Sequence, residues 1–283
     1  MSLSDRYTRM RSAHRRNRRP RPTLRARLRS LVRVLVRVTK WSVAVGLGLG
    51  IAGSAWFAWF YKHDILDDPG PHLARAAIEE IIAQESPILY RDGETRLGVF
   101  FSREHREYVA KDRVPQAWKD AIVASEDQRF FRHRGVDPRG IARAMMQNIQ
   151  AGRLVAGGSS LTQQTAKNLY YRPDRSLQSK WRELVNALRL EAHYDKDDIL
   201  EFYANQFHVS ANGRGIGIAA RYFFDKEVEQ LTTLECAFIA GMVKAPASYN
   251  PFVGATAERR EKARAKARAR TRYVLDRMRV RGS

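Results

Sequence analysis

From Trp41 to Tyr61 the chain reads WSVAVGLGLGIAGSAWFAWFY, about twenty residues without a charge. A helix of that length spans the hydrocarbon core of a bilayer. Trp56, Phe57, Trp59, Phe60 and Tyr61 crowd its far end, as interfacial aromatics do. A cleaved signal peptide would have a shorter apolar region ending in small residues. The segment therefore reads as a single transmembrane helix. Its basic N-terminal flank stays in the cytoplasm, and everything after Lys62 lies outside.

Charge supports that division. The 283 residues carry a net charge of +21, which first suggests a nucleic-acid or anionic-lipid binder. Residues 1–40 and 258–283 account for the whole excess, and the middle is near neutral. No nucleic-acid partner is expected, because such a domain carries its basic patch on the folded core. Residues 1–22 are too Arg-rich to bury apolar area and read as disordered. Arg21, Arg25, Arg29, Arg33 and Arg37 recur every four residues. On a helix they form one basic face, suited to an anionic leaflet. The lone Cys236 sits in an apolar run and reads as a buried thiol.

The rest is mainly helical. Leu73 to Glu85 has helical spacing, and Ile88 to Phe100 reads as a β-hairpin turning at Asp92-Gly93. Pro115 opens a helix that closes at Glu126. Leu161–Tyr170, Ser176–Tyr194, Lys196–Phe207 and Ala257–Met278 are further helices. In Ser176–Tyr194 the apolar stripe is Leu177, Trp181, Leu184 and Leu188. Thr232 and Glu235 form a capping box for a helix that stops near Ala245-Pro246. The expected division is a basic tail and juxtamembrane segment (1–40), a transmembrane helix (41–61), a linker and hairpin region (62–114) and a helical domain (115–283).

Three stretches could carry chemistry. Ser125 to Asp137 closes a helix with two adjacent acids, a His and a Gly; locally, a solvated cap explains it as well. Gly157-Gly158-Ser159-Ser160 leads into a helix whose free N–H groups could hold a phosphate; a plain loop is the alternative. Lys180 and Glu183 lie one turn apart, where an exposed ion pair is the ordinary reading.

In this order the stretches resemble the glycosyltransferase domain of class A penicillin-binding proteins and monofunctional peptidoglycan transglycosylases. Glu126, Asp127, Phe130, His133 and Gly135 match that family's E-D-x-x-F-x-x-H-x-G. Gly157, Gly158, Ser159, Thr162, Gln163 and Gln164 match G-G-S-x-x-T-Q-Q, with Lys167 following. Lys180 and Glu183 match R-K-x-x-E, with Ser179 in place of the Arg. Lys196, Ile199, Leu200, Glu201, Tyr203 and Asn205 match K-x-x-I-L-E-x-Y-L-N. Gly241, Lys244, Ala245, Pro246, Tyr249, Asn250 and Pro251 match a later motif, and Val274, Leu275, Arg277 and Met278 the terminal one. The stretch after Asn205, Val209 to Gly215, departs from the family's Phe-Gly-x-Gly.

The resemblance implies a mainly α, lysozyme-like glycosyltransferase domain with a small β-hairpin region behind one N-terminal transmembrane helix. It implies an inverting peptidoglycan polymerase that joins lipid II into β-1,4-linked glycan and releases undecaprenyl pyrophosphate. Glu126 would be the general base and Glu183 the second catalytic carboxylate. Asp127, Gly158, Ser159, Gln163, Gln164, Lys167, Lys180, Arg182, Asn205 and Lys244 would bind substrate, and Arg175 or Arg182 would replace the missing Arg. His133 and Asp137 would be structural. No cofactor is implied with certainty; a divalent cation, Mg2+ or Mn2+, is a candidate, with Glu183 its candidate ligand. Partners would be lipid II, the lipid-linked glycan chain, the plasma membrane and cell-wall synthesis or division proteins. The expected location is the bacterial inner membrane, single-pass, with the catalytic domain on the periplasmic side; the segment around Met145, Met146 and Ile149 reads equally as a contact with the leaflet or as a core helix. Two other readings are a catalytically impaired scaffold of the same fold and a lysozyme-like hydrolase. Family members often continue into a transpeptidase domain, so the resemblance fits a monofunctional enzyme or a piece of a longer one.

Overall fold

The computed structural model describes residues 24–67, 69–83, 86–91, 96–100, 105–153, 155–170, 174, 176–210 and 213–282. The segment 1–22, the Asp92-Gly93 turn, Arg175 and Ala211-Asn212 lie outside them. The chain divides into two compact units, Met1–Phe60 and Tyr61–Ser283.

The described part of the first unit is one helix, α1 (Leu24–Phe60). The basic stretch and the apolar stretch are thus continuous, and the large apolar side chains of the latter are exposed. Leu31–Leu66 is long and apolar enough to cross a membrane.

The second unit opens on a π-helical turn, Tyr61–Leu66, whose Ile65 is buried. It continues through α2 (Arg75–Ile82), β1 (Ser86–Leu89), β2 (Arg96–Phe100), β3 (His105–Arg106) and α3 (Gln116–Glu126). Then follow α4 (Pro138–Ala151), α5 (Leu161–Leu169), α6 (Leu177–His193), α7 (Lys196–Ala204), β4 (His208–Ser210) and β5 (Gly213–Arg214). The chain closes with α8 (Gly215–Phe224), α9 (Thr233–Met242), α10 (Pro246–Tyr249) and α11 (Ala257–Arg281).

The expected hairpin is present: β1 and β2 pair antiparallel, Ser86 opposite Phe100. A second sheet, in the order β3–β5–β4, has no counterpart in the sequence reading. In it, β3 runs parallel to β5 and β4 antiparallel to it. Nor is 62–114 a linker: Leu73, Ile78, Ile82, Val109 and Val114 belong to the main hydrophobic core. The turn after α1 is tied to α6, where Arg189 Nε donates to the Asp64 carbonyl at 2.6 Å.

The core centres on Trp118 of α3, which is fully buried. Its ring stacks on Phe207 at 5.7 Å and lies 6.4 Å from Tyr203. Burying each such side chain is worth ~1.5–3 kcal/mol. These contacts fix α3 against α7 and so fix the position of Glu126 at the end of α3. Cys236, on α9, is fully buried.

One element faces differently from expectation. In α6 the buried residues are Glu183, Ala187 and Leu190. Leu177 and Trp181, expected in the apolar stripe, are 91% and 53% exposed. Burying the Glu183 carboxylate turns those two outward, because they lie elsewhere around the helix.

Candidate active site

Glu126 ends α3 and opens into a cleft also lined by Asp127, Arg143, Gly157, Gly158, Ser159, Gln164, Lys244, Arg270, Tyr273 and Arg277. Its side chain is 16% exposed, and its Oε1 lies 2.8 Å from Arg270 Nη2. Burial pushes the Glu126 carboxyl above its ordinary value. Arg270, Lys244 and a hydrogen bond from Gln164 oppose that shift, and the neighbouring Asp127 adds to it. Gln164 is itself held by Tyr203, whose hydroxyl donates to Gln164 Oε1 at 3.2 Å.

The loop after Glu126 is pinned from below. Asp127 is buried; its Oδ2 accepts from the Leu161 N–H at 3.0 Å and lies 2.9 Å from His133 Nε2. The acid beside the candidate base thus fastens the N-terminus of α5, where a carboxylate also meets the positive end of the helix dipole. Lys196 donates to the His133 carbonyl at 2.8 Å, and its ammonium lies 4.3 Å from the Phe130 ring centroid. Burial pushes the Lys196 ammonium below its ordinary value. Gly135 completes the loop at φ 83°, and a Cβ there would come within 3.0 Å of the Ala187 carbonyl oxygen. Only glycine meets both demands. Asp137 lies 3.5 Å from Arg129, and it caps α4 with no side-chain bond to that helix.

The glycine-serine stretch forms one rim of the cleft. A Cβ on Gly158 would lie 3.0 Å from Ile141 Cα, so a side chain there would press the rim away from the α4 backbone. Ser160 caps α5: its Oγ accepts from the Gln163 N–H at 3.1 Å, and Gln163 Oε1 accepts from the Ser160 N–H at 3.0 Å. Ser160 also donates to the Gly135 carbonyl, joining the rim to the Glu126 loop.

Lys180 bridges to this rim. It donates to Ser159 Oγ at 3.2 Å and pairs with Glu183 one turn on. Ser179, in the place of the family's Arg, donates to Asp174 and helps cap α6. The carboxylate of Glu183 is buried and engaged with Lys180. Among the described residues no group of three or more His, Cys, Asp or Glu is placed to hold a metal ion. A single carboxylate already bound to an ammonium is a poor donor set for Mg2+ or Mn2+, which want several oxygens.

The structure therefore sorts the expected residues. Glu126, Asp127, Gly158, Ser159, Gln164 and Lys244 line one cleft, and Lys180 reaches its rim. Lys167 and Arg182 are exposed and do not line it. Gln163, expected at the substrate, is spent on the helix cap. Asn205, expected likewise, is buried and holds backbone: it accepts from the Val109 N–H and donates to the Val109 and Glu201 carbonyls, at 2.8 to 2.9 Å. Sequence reasoning missed Arg143, Arg270 and Tyr273, and named Arg277 only as a residue of the terminal motif, without a role at the site. Arg270 is one of many arginines on a basic helix, and its sequence position alone does not separate it from the others.

A helical domain that sets one partly buried carboxylate in a cation-lined cleft is equipped to do base chemistry on an anionic substrate. The chain belongs to the transglycosylase family, whose description matches residues 93–279. It is 40% identical over 187 residues to penicillin-binding protein 1A of Neisseria flavescens, covering 66% of this chain and 22% of that protein. With penicillin-binding protein 1A of Aquifex aeolicus the identity is 42% over 161 residues, 57% of this chain and again 22% of the relative. The chain thus spans about a fifth of the length of the relatives it matches.

Proposed function

We propose that this chain is an inverting glycosyltransferase that polymerises lipid II into peptidoglycan strands. The observation that carries the reading is Glu126, a carboxylate of raised proton affinity facing a cleft lined by Lys244, Arg143, Arg270 and Arg277. The acceptor sugar's 4-hydroxyl gives its proton to Glu126 while its oxygen bonds to the donor's anomeric carbon. The bond from that carbon to the pyrophosphate breaks on the opposite face, and undecaprenyl pyrophosphate leaves with the electron pair. General-base assistance of this kind is worth roughly 10²–10⁴ in rate. Cations stabilise the charge that develops on the leaving group. Lys180 and Lys244 suit that role, and Glu183 holds Lys180 in place.

A second groove shares Ala144, Ala156 and Gly158 with the cleft and is otherwise lined by Ile141, Met145, Asn148 and Ile149 of α4 and by Gly152 and Arg153 just after it. It suits a prenyl chain attached to a phosphate in the cleft. Exposed Met145, Met146 and Ile149 then meet the outer leaflet. The transmembrane helix keeps its basic flank in the cytoplasm and the catalytic domain in the periplasm.

Labelled lipid II, incubated with the detergent-solubilised chain, tests the proposal. Glycan strands that disappear with moenomycin, an inhibitor of this family, support it. No polymer across a range of lipids favours the scaffold reading, and cleavage of preformed glycan without lipid II favours the hydrolase.

A further inference from the structure

Arg270 approaches Glu126 from α11, a helix remote in sequence from the loop that carries the base. Its Nη2 occupies one of the two oxygens through which Glu126 would take a proton, at 2.8 Å. The rest of the guanidinium makes no other hydrogen bond among the described residues. Its Nε is buried without a hydrogen-bond partner among the described residues, and its plane lies over the Tyr273 ring, 4.7 Å from the centroid. Arg270, Tyr273 and Arg277 all line the cleft. An arginine that stacks on an aromatic ring can exchange one anion for another while keeping the stack. A phosphate offers it two oxygens in the bidentate geometry it favours.

We propose that Arg270 is a positioning residue that exchanges partners during turnover, holding Glu126 in the free enzyme and passing to a phosphate of the bound acceptor. The exchange frees the Glu126 carboxylate to accept the 4-hydroxyl proton only when an acceptor is present. Charge pairing thereby links acceptor binding to activation of the base. The inference rests on the glycosyltransferase reading above.

The other groups facing Glu126 do not supply this exchange. Lys244, after α9, acts on it at longer range, without a hydrogen bond. Asp127, adjacent in the chain, is committed to Leu161 and His133. Gln164 of α5 is uncharged, and the Tyr203 hydroxyl of α7 stays protonated because burial raises it well above its ordinary value. Among the described residues, Arg270 alone is a charged group outside Glu126's own chain neighbours in direct contact with it.

The test is the pH dependence of lipid II polymerisation by the full chain, as wild type, Arg270→Lys and Arg270→Met. The acidic limb of kcat/KM reports the base in the free enzyme, and that of kcat the base in the substrate complex. Loss of a neighbouring cation raises a carboxyl by about one to three pH units. In wild type the kcat limb should therefore lie about one unit or more above the kcat/KM limb. In Arg270→Met the kcat/KM limb should rise to meet it, and Arg270→Lys should keep part of the separation. Coincident limbs in wild type, or an unmoved kcat/KM limb in Arg270→Met, overturn the proposal. If Arg270→Met does not fold, the wild-type and Arg270→Lys limbs decide alone. Wild type that makes no polymer fails the function itself, whereas polymer with coincident limbs fails only this inference.

Discussion

Glu126 and Asp127 are neighbours in the chain with opposite surroundings. One faces the cleft, and the other is locked between a histidine and a helix N-terminus. Replacing Glu126 with Gln should cut polymerisation by roughly 10²–10⁴-fold, the worth of a general base. The circular dichroism melt should stay close to wild type, since the amide keeps the shape and can still accept from Arg270. Asn205 should behave in the opposite way. Asn205→Ala strands the Val109 N–H and C=O and should cost ~2–3 kcal/mol in a denaturant titration, with KM unchanged in the protein that remains folded. The sequence singled out Glu126 and Asn205 equally, through motifs. It could not separate them, because a polar side chain that holds backbone looks the same as one that holds substrate. Arg270 was illegible for the converse reason: one arginine among many on α11 declares itself only through the carboxylate it reaches, 144 residues earlier.

At the scale of elements, the caps carry the most information. Ser160 with Gln163 and Thr232 with Glu235 form the same box, on α5 and α9. Removing either hydroxyl should cost about 1 kcal/mol of stability. Ser160→Ala should also lower kcat, because α5 carries Gln164 and Ser160 ties the rim to the Glu126 loop. Thr232→Ala should leave kcat unchanged, as Thr232 does not line the cleft. Paired thermal melts and initial rates check both. Long helices with capping residues were readable, and Thr232 and Glu235 form the box the spacing predicts. Two things were not. The β3–β5 pair is two residues per strand, more than 100 positions apart, with no local pattern to announce it. The glycines of Gly215-Ile216-Gly217 look like breakers, yet they begin α8: Gly215 sits at φ 88° close against Asn205, and Gly217 packs closely against Glu107.

Across the whole molecule, basic charge gathers at the two ends of the chain, and exposed apolar surface gathers on α1, on α4 and at the start of α6. If α4 contacts lipid, replacing both Met145 and Met146 with Glu should lower kcat/KM on lipid II in vesicles about tenfold, equivalent to ~1.4 kcal/mol. The melting temperature should not move, because both side chains are already 63% exposed and surface changes of this kind seldom alter stability. Equal loss in detergent and in vesicles would tie these residues to substrate binding at the α4 groove instead of to the bilayer.

The buried thiol of Cys236 carries a practical consequence. Burial pushes it up to about 12, and it is the chain's one cysteine. Thiolate, the reactive form, is therefore scarce while the domain is folded. A maleimide added to the native protein should react only as fast as α9 is exposed, so the labelling rate becomes a clock for opening of the core. Because nothing else in the chain competes for the reagent, a second cysteine placed on the rim at Ser159 would be labelled alone. Its fluorophore would then report on the cleft as acceptor arrives.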